Sequence, residues 1–221
     1  MAISKISRLA GKRELDKEYR SKAFKIKNLV QDKLWDSESQ FFKVLPEEGS
    51  ELSDARELYG YTPWYFNMPD SGYEEAWKHL IDKEGFYSPY GPTFLEQRHP
   101  EFKISYEGHE CQWNGPSWPL ATCSVLTSLA NLLNNYDQNV ISKEEYFKTL
   151  KSYTNSHKLK RKDGKIVPWI DENLNPFNGD WISRTRLKSW DNGTWSIEKG
   201  GKERGKDYNH STYNDLIITG L

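Results

Sequence analysis

Apolar residues near the start of the chain recur with the period of an α-helix. Over residues 14–34 they lie three or four positions apart, at Leu15, Tyr19, Ala23, Ile26, Val30 and Leu34. This spacing predicts an amphipathic helix, and residues 1–33 as a whole have the character of a charged amphipathic helix. Residues 35–46 predict a turn followed by a short extended piece.

A second helix is predicted over residues 71–81. Ser71 and Glu74 have the spacing of a capping box, and an apolar stripe follows at Ala76, Trp77, Leu80 and Ile81. Residues 85–116 predict a long loop, because prolines interrupt any regular pattern at Pro89, Pro92, Pro100 and Pro116.

The strongest helical pattern spans residues 117–136, where Pro119 is tolerated in the first turn. Its apolar face carries Val125, Leu126, Leu129, Leu132, Leu133 and Tyr136. After a connection at 137–140, Ser142 and Glu145 have capping-box spacing and open another helix, with apolar residues at Phe147, Leu150 and Tyr153. Two neighbouring helices joined so closely form an αα-hairpin.

These patterns predict a mainly α fold with long aromatic-rich loops, of which the longest spans residues 155–207. No internal repeat and no Gly/Ser-rich or Pro-rich linker divides the chain, so residues 1–221 are predicted to form a single domain. Residues 211–221 begin an apolar helical pattern that ends at Leu221 without a C-cap. We therefore expect a chain that is cut within a structural element.

Charge and composition exclude several classes of function. Lys and Arg number 31 against 32 Asp and Glu, so nothing favours nucleic acid or an anionic membrane surface as a partner. No apolar stretch is long enough to span a membrane, and the first residues lack the apolar core of a secretory signal, which leaves cytoplasm and periplasm open. Two cysteines and five histidines without ligand spacing predict no metal site, and no motif predicts a cofactor.

The aromatic content is unusual for so charged a chain. The chain has nine Trp, thirteen Tyr and nine Phe, and 29% of its residues are charged. We therefore expect many aromatic rings at polar, partly solvent-exposed surfaces as well as in the core. Three loops, at 54–64, 106–118 and 168–181, combine Trp with carboxylates and turn residues. Indole rings stack on the C–H faces of sugars while polar side chains bind the hydroxyl groups, and glycosidic cleavage needs two carboxyl groups. The loops therefore favour a carbohydrate site, although the same rings could belong to the core of a helical interaction domain, and Cys111 is a weaker candidate nucleophile.

Two of these loops carry motifs of a known enzyme group. Residues 111–119, Cys-Gln-Trp-Asn-Gly-Pro-Ser-Trp-Pro, resemble the Trp-x-Gly-Pro-x-Trp element of family 63 and mannosylglycerate hydrolase-like glycoside hydrolases. They are also similar to the Gln-Trp-Asp-x-Pro signature of trehalases, with Asn114 in place of Asp. Residues 172–179, Glu-Asn-Leu-Asn-Pro-Phe-Asn-Gly, resemble the segment that carries the general base in the family 63 group. Residues 208–213 and 34–42 fit further segments, so the resemblance covers about residues 30–221.

The resemblance implies a partial (α/α)6 toroid of helical hairpins and an inverting hydrolysis of α-glycosidic bonds. It makes Glu172 the general base, and Trp113, Asn114 and Gly115 the lining of the sugar subsite, with Trp118 at the helix entry. Further substrate contacts are positional hypotheses, at Arg56, Glu57, Trp64, Trp169 and Trp181.

The chain departs from the family pattern in its catalytic acid. In these families the general acid is an Asp that lies N-terminal to the matched region, and nothing before Leu34 resembles its surroundings. We therefore expect the chain to be the C-terminal half of a catalytic domain whose N-terminal half is missing. The alternatives are a non-catalytic carbohydrate-binding protein that has lost the acid and a helical interaction domain.

Overall fold

The computed structural model describes residues 1–105, 113–160 and 163–182. Its helices are α1 (Ala2–Leu9), α2 (Arg13–Leu34), α3 (Thr62–Tyr65), α4 (Lys78–Ile81), α5 (Pro119–Asn135) and α6 (Lys143–Ser156). Short strands form two antiparallel hairpins, β1 (Trp35–Asp36) with β2 (Phe41–Phe42) and β3 (Lys158–Lys160) with β4 (Ile166–Pro168). The fold is therefore mainly α, as predicted, and over the described ranges no helix is long and apolar enough to cross a membrane.

The N-terminal segment forms two helices rather than one. Gly11, at φ +70°, breaks the helical path between α1 and α2, a conformation that a residue with a side chain rarely adopts. The corner is held by Asp16, which accepts a hydrogen bond from the Ser4 hydroxyl at 2.5 Å and from Arg8 at 3.0 Å. The prediction of a helix over residues 14–34 is confirmed by α2.

The capping box predicted at Ser71 is wrong. Gly72 has φ +110° and turns the chain between Ser71 and Glu74, so Ser71 does not reach the N-cap position. The helix begins instead as a tight 3₁₀ turn over Glu74–Trp77, with Tyr73 as the N-cap residue, and continues as α4. The Glu74 carboxylate accepts a hydrogen bond from the Gly72 N–H at 2.8 Å.

The αα-hairpin of α5 and α6 is confirmed. Ser142 is the N-cap residue of α6, and the capping box with Glu145 is complete. The two helices pack through Cys123 and Tyr153, whose sulfur and hydroxyl oxygen lie 2.7 Å apart. Local periodicity and capping therefore predict this unit correctly.

The aromatic rings divide between a buried core and half-buried or exposed positions, so the expected partly solvated rings are present. One buried cluster connects α5 to the segments that precede it in the chain. Its aromatic members are Phe41, Phe42, Tyr61, Trp64, Trp77, Phe86 and Trp118. Edge-to-face and tilted contacts connect these rings, for example Tyr61 with Trp77 at 4.3 Å. The core therefore holds long loops in place by aromatic packing.

The β3–β4 hairpin lies in the region that was predicted as a long loop. Its turn contains Gly164 at φ +82°, and the Asp163 carboxylate accepts a hydrogen bond from the Lys165 N–H at 3.1 Å. The prediction of an unbroken loop over this region is therefore wrong, because two short strands pair within it. The predicted terminal helix at 211–221 and the segment 208–213 lie outside the described residues.

Asp36 makes the stability of the first hairpin dependent on pH. Burial opposes ionisation of this carboxyl, but hydrogen bonds from Lys43, Ser39 and the Glu38 N–H outweigh it and hold the pKa of Asp36 well below its usual range. A depressed pKa contributes stability above the unfolded-state value and loses it as pH falls. We expect the free energy of unfolding to decrease below about pH 4. Denaturant titrations at stepwise lower pH should show a shallower decrease in Asp36→Asn than in the wild type, and parallel curves would contradict the assignment.

Candidate active site

The two loops that carry the sequence motifs are paired directly. The Ser117 N–H donates to the Leu174 carbonyl at 2.9 Å, and the Leu174 N–H donates back to the Ser117 carbonyl at 3.0 Å. Leu174 also forms a bridge with Trp181, and the Ile182 N–H donates to the Asn173 carbonyl. The structure thus brings the Trp113–Trp118 motif and the Glu172 loop together across more than fifty residues of chain.

Glu172 lies on a tightly held part of its loop. It is 9% exposed, its neighbours Asp171 and Asn173 are buried, and its backbone N–H donates to the Asp171 carboxylate at 2.8 Å. The turn that follows is closed by backbone hydrogen bonds from Asn175 to Asp180 at 2.8 Å and from Gly179 to Asn175 at 2.9 Å. The backbone that carries Glu172 is therefore held in a defined path.

Trp113 forms a rigid aromatic platform. Its ring stacks on Trp118 with centroids 3.7 Å apart and planes within 8°, and Trp118 is buried against the core. Phe94 meets Trp113 edge-on at 4.7 Å. Trp113 itself is only half-buried, so part of the residue stays exposed. The buried Trp118 fixes the orientation of its ring.

Asn114 and Gly115 are held by the neighbouring segment 101–103. The Asn114 side-chain amide donates to the Glu101 carbonyl at 3.0 Å, and the Asn114 carbonyl accepts a hydrogen bond from the Lys103 N–H at 2.9 Å. A β-carbon added at Gly115 would lie 2.2 Å from the Lys103 carbonyl oxygen, so only glycine permits this approach.

We therefore expect Gly115→Ala to disturb the site. The clash is with backbone rather than with a flexible side chain, so the two segments must separate, at a cost of about 1–3 kcal/mol in the free energy of unfolding. Denaturant unfolding should show this loss, whereas Gly49→Ala, whose new β-carbon would meet the Pro46 side chain at 3.2 Å in a surface loop, should cost less. Equal stability of the two variants would contradict the close approach.

Arg56 and Glu57 lie on a segment that pairs with residues 94–96. Glu57 forms a bridge with Leu95, and the Leu58 N–H donates to the Phe94 carbonyl at 2.8 Å. Arg56 forms an ion pair with Glu96 at 2.5 Å and donates to the Ser39 carbonyl at 3.3 Å. The structure therefore pairs the Arg56 guanidinium with an internal carboxylate, and its role as a sugar contact stays a prediction. Burial raises the pKa of the Glu57 carboxyl, and the nearby His99 opposes this in part.

These pairings form a continuous series of extended segments. Residues 56–58 pair with 94–96, the Phe94 N–H donates to the Pro116 carbonyl at 3.3 Å, and Ser117 pairs with Leu174.

The remaining tryptophans differ in exposure. Trp64 is 0% exposed and packs against Trp77 at 5.4 Å, so it offers no surface to a sugar, and its predicted role as a substrate contact is corrected to that of a core residue. Trp118 and Trp181 are also buried, and the Trp181 indole N–H donates to the Lys158 carbonyl at 3.0 Å. Trp169 is half-buried, and its backbone N–H donates to the His157 carbonyl.

Sequence reasoning missed two residues of this region. Tyr59 is 44% exposed and lies beside Trp113, with centroids 6.0 Å apart. Asp171 is fully buried next to Glu172. Their closeness in sequence to Glu57 and Glu172 was the signal that could have identified them. Within the described segments, no three His, Cys, Asp or Glu residues could hold a metal ion, and Cys111 lies outside them.

The two motif loops, one carrying Glu172 and the other Trp113, thus meet on a mainly helical scaffold. The chain belongs to the family of the mannosylglycerate hydrolase MGH1-like glycoside hydrolase domain, whose model matches residues 1–211. The match begins at residue 1, so it includes the N-terminal helices that the sequence motifs had left out. Among curated protein sequences, none matches the chain.

Solved structures share the fold of this chain. A protein described as a sialidase is 38% identical, with a TM-score of 0.80, over 100% of this chain and 18% of its own. The family 63 mannosylglycerate hydrolase from Thermus thermophilus, solved in complex with glucose, is 14% identical over 84% of this chain and 42% of its own, with a TM-score of 0.57. An uncharacterized conserved protein from the same organism is 14% identical over 80% and 38%, with a TM-score of 0.56. The latter two show the fold, a partial helical toroid, and the chain spans less than half the length of all three.

Proposed function

We propose that this chain forms part of the active site of an inverting hydrolase of α-glycosidic bonds, with Glu172 as the general base. The observation that carries the proposal is the two-way pairing of Ser117 with Leu174, which fixes the Glu172 loop against the loop of the Trp113 platform. Membership of a glycoside hydrolase family supports the reaction class.

In this mechanism Glu172 takes a proton from a water molecule as the water oxygen attacks the anomeric carbon. The glycosidic bond breaks on the opposite face, and a general acid protonates the departing oxygen, so the anomeric configuration is inverted. Trp113, Asn114 and Gly115 line the subsite of the attacked sugar, and Trp169 lies at its edge. Trp118 and Trp181 support these residues from the buried side.

We further propose that an Asp in the N-terminal half of the same catalytic domain supplies the acid. The chain spans 42% of the mannosylglycerate hydrolase it matches, which leaves room for such a half in a longer protein. Helices α1 and α2 carry several exposed apolar side chains, at Ile3, Ile6, Leu9, Leu15, Phe24, Ile26 and Leu29. Apolar surface of this extent commonly marks an interface, and the missing helical hairpins would cover it.

The test is to follow hydrolysis of a panel of α-linked glucosides and mannosides by the full-length protein with NMR. We expect a β-anomer as the first product, because water attacks the face opposite the α-linked leaving group. An initial α-anomer would exclude inversion. Sugar binding without turnover would instead favour the carbohydrate-binding alternative.

A further inference from the structure

The short loop 88–91 contacts the turn that follows Glu172. The Tyr90 N–H donates to the Pro176 carbonyl in that turn at 3.0 Å. A β-carbon added at Gly179, on the same turn, would lie 2.6 Å from the Tyr90 ring, so the ring packs directly against this glycine. The turn is therefore held from outside by one backbone hydrogen bond and one aromatic contact.

The loop 88–91 also contacts the loop of the Trp113 platform, at Ser117. Gly91 is buried and has φ +105°, and a β-carbon added there would lie 2.6 Å from the Ser117 hydroxyl oxygen. Glycine alone combines this backbone conformation with so close an approach. Since Ser117 is the residue that pairs with Leu174, the loop 88–91 contacts both motif loops near the point where they meet.

A single hydroxyl on α6 holds the loop 88–91 in shape. The Ser152 hydroxyl accepts a hydrogen bond from the Gly91 N–H at 2.8 Å and donates to the Pro89 carbonyl at 2.7 Å, with the Ser88 carbonyl at 3.3 Å. The Ser88 hydroxyl in turn donates to the Gly91 carbonyl within the loop. Removing the Ser152 hydroxyl therefore breaks a bond to a backbone N–H and a bond to a backbone carbonyl at once, which is unfavourable for both groups.

The bonding of Ser152 differs from that of other hydroxyls on the same helical hairpin. Ser124 on α5 and Thr149 on α6 donate to the carbonyl four residues earlier in their own helix, at 3.2 and 2.9 Å. Such bonds are local to the helix and fix nothing outside it. The Ser152 hydroxyl instead leaves its helix and bonds a loop more than sixty residues earlier in the chain.

We propose that Ser152 is a positioning residue for Glu172, which acts through the loop 88–91 on the turn behind the general base. This rests on the proposed function. A general base must lie about 3 Å from the water that it activates. A misplacement of about 1 Å, caused by a change far from the chemistry, costs on the order of 10²-fold in rate. The contacts from Ser152 to the Glu172 loop limit such a displacement.

The first measurement compares the kinetics of Ser152→Ala and Ser152→Thr with the wild type, in the full-length enzyme on its best α-glycoside. We expect Ser152→Ala to lower kcat about 10-fold, because the base is held less firmly. KM should stay nearly unchanged, because Trp113 is held by its stacking on Trp118 and not by Ser152. Ser152→Thr keeps the hydroxyl and should restore most of kcat.

The second measurement is hydrogen exchange of the same proteins, followed by mass spectrometry, which needs no turnover. In Ser152→Ala the peptides that cover residues 88–91 and 173–182 should exchange faster than in the wild type, because their backbone hydrogen bonds open more often. Peptides of α5 should exchange at the wild-type rate. Ser152→Thr should exchange like the wild type in all of these peptides.

The matched control is Ser124→Ala, which removes the same group from a half-buried helical serine. It should leave kcat and the exchange of both loops unchanged. Unchanged exchange over residues 173–182 in Ser152→Ala, an equal loss of kcat in Ser124→Ala, or no recovery in Ser152→Thr would overturn the role of Ser152. If the wild type turns over no α-glycoside, the proposed function fails, and the exchange comparison still decides whether Ser152 holds the Glu172 turn.

Discussion

Glu172→Gln is expected to lower the kcat of the full-length enzyme by about 10²- to 10⁴-fold on its best α-glycoside, with little change in KM. Glutamine keeps the shape of the side chain and the backbone hydrogen bond to Asp171, so the loop stays in place. It cannot accept a proton from water, so the chemical step loses its base while substrate binding persists. Steady-state kinetics that follow the released sugar measure both constants.

The matched control for this variant is Asp180→Asn on the same loop. Its carboxyl accepts a hydrogen bond from the Asn178 side chain at 3.0 Å, at the surface of the turn that follows Glu172. We expect activity close to that of the wild type. If Glu172→Gln retains wild-type kcat, or if both variants lose activity together with their thermal stability, Glu172 is not the base.

Arg56→Met is expected to destabilise the fold by about 3–5 kcal/mol, because it leaves a buried charge without its partner. The Arg56 and Glu96 side chains are only 15% and 5% exposed, and Arg98 offers Glu96 a second contact at the longer distance of 3.4 Å. The ion pair also connects residues 56–58 to residues 94–96. Its loss therefore weakens the attachment of the segment that carries Glu57. Denaturant unfolding measures the change.

An exposed ion pair provides the comparison for this prediction. Lys148 and Glu144 lie 2.9 Å apart on α6, with more than half of each side chain exposed. Lys148→Met should cost at most about 1 kcal/mol. A similarly small effect of Arg56→Met would contradict this prediction, and a raised KM for sugar in that variant would support Arg56 as a substrate contact.

Local signals predicted some elements well and others poorly. The periodic apolar residues of α5 and the capping box at Ser142 describe contacts within a few residues, and both are present in the structure. The equivalent spacing at Ser71 failed because Gly72 adopts a positive φ, which spacing alone does not reveal. The β3–β4 hairpin was not predicted, because each strand has only three residues, which is too few to show an alternating pattern.

The exposure of the tryptophans was not available from the sequence. Trp64 and Trp113 were both predicted to lie in loops, yet Trp64 is a buried residue of α3 and Trp113 is a half-buried platform. Trp64 packs against Trp77, whereas Trp113 stacks on Trp118 and meets Phe94 edge-on. These different ring contacts accompany the difference in exposure. Such contacts depend on the path of the whole chain.

The sequence by itself determined the helical class, the two motif loops and the choice of Glu172 as the candidate base, because periodicity, capping and motif chemistry reside in neighbouring residues. Only the tertiary structure decided that Ser117 pairs with Leu174, that Arg56 is neutralised by Glu96, and that Tyr59 joins Trp113. The physical reason is that burial, ion pairing and strand pairing are made between residues far apart in the chain, where one sequence offers many partners and the packed core selects among them.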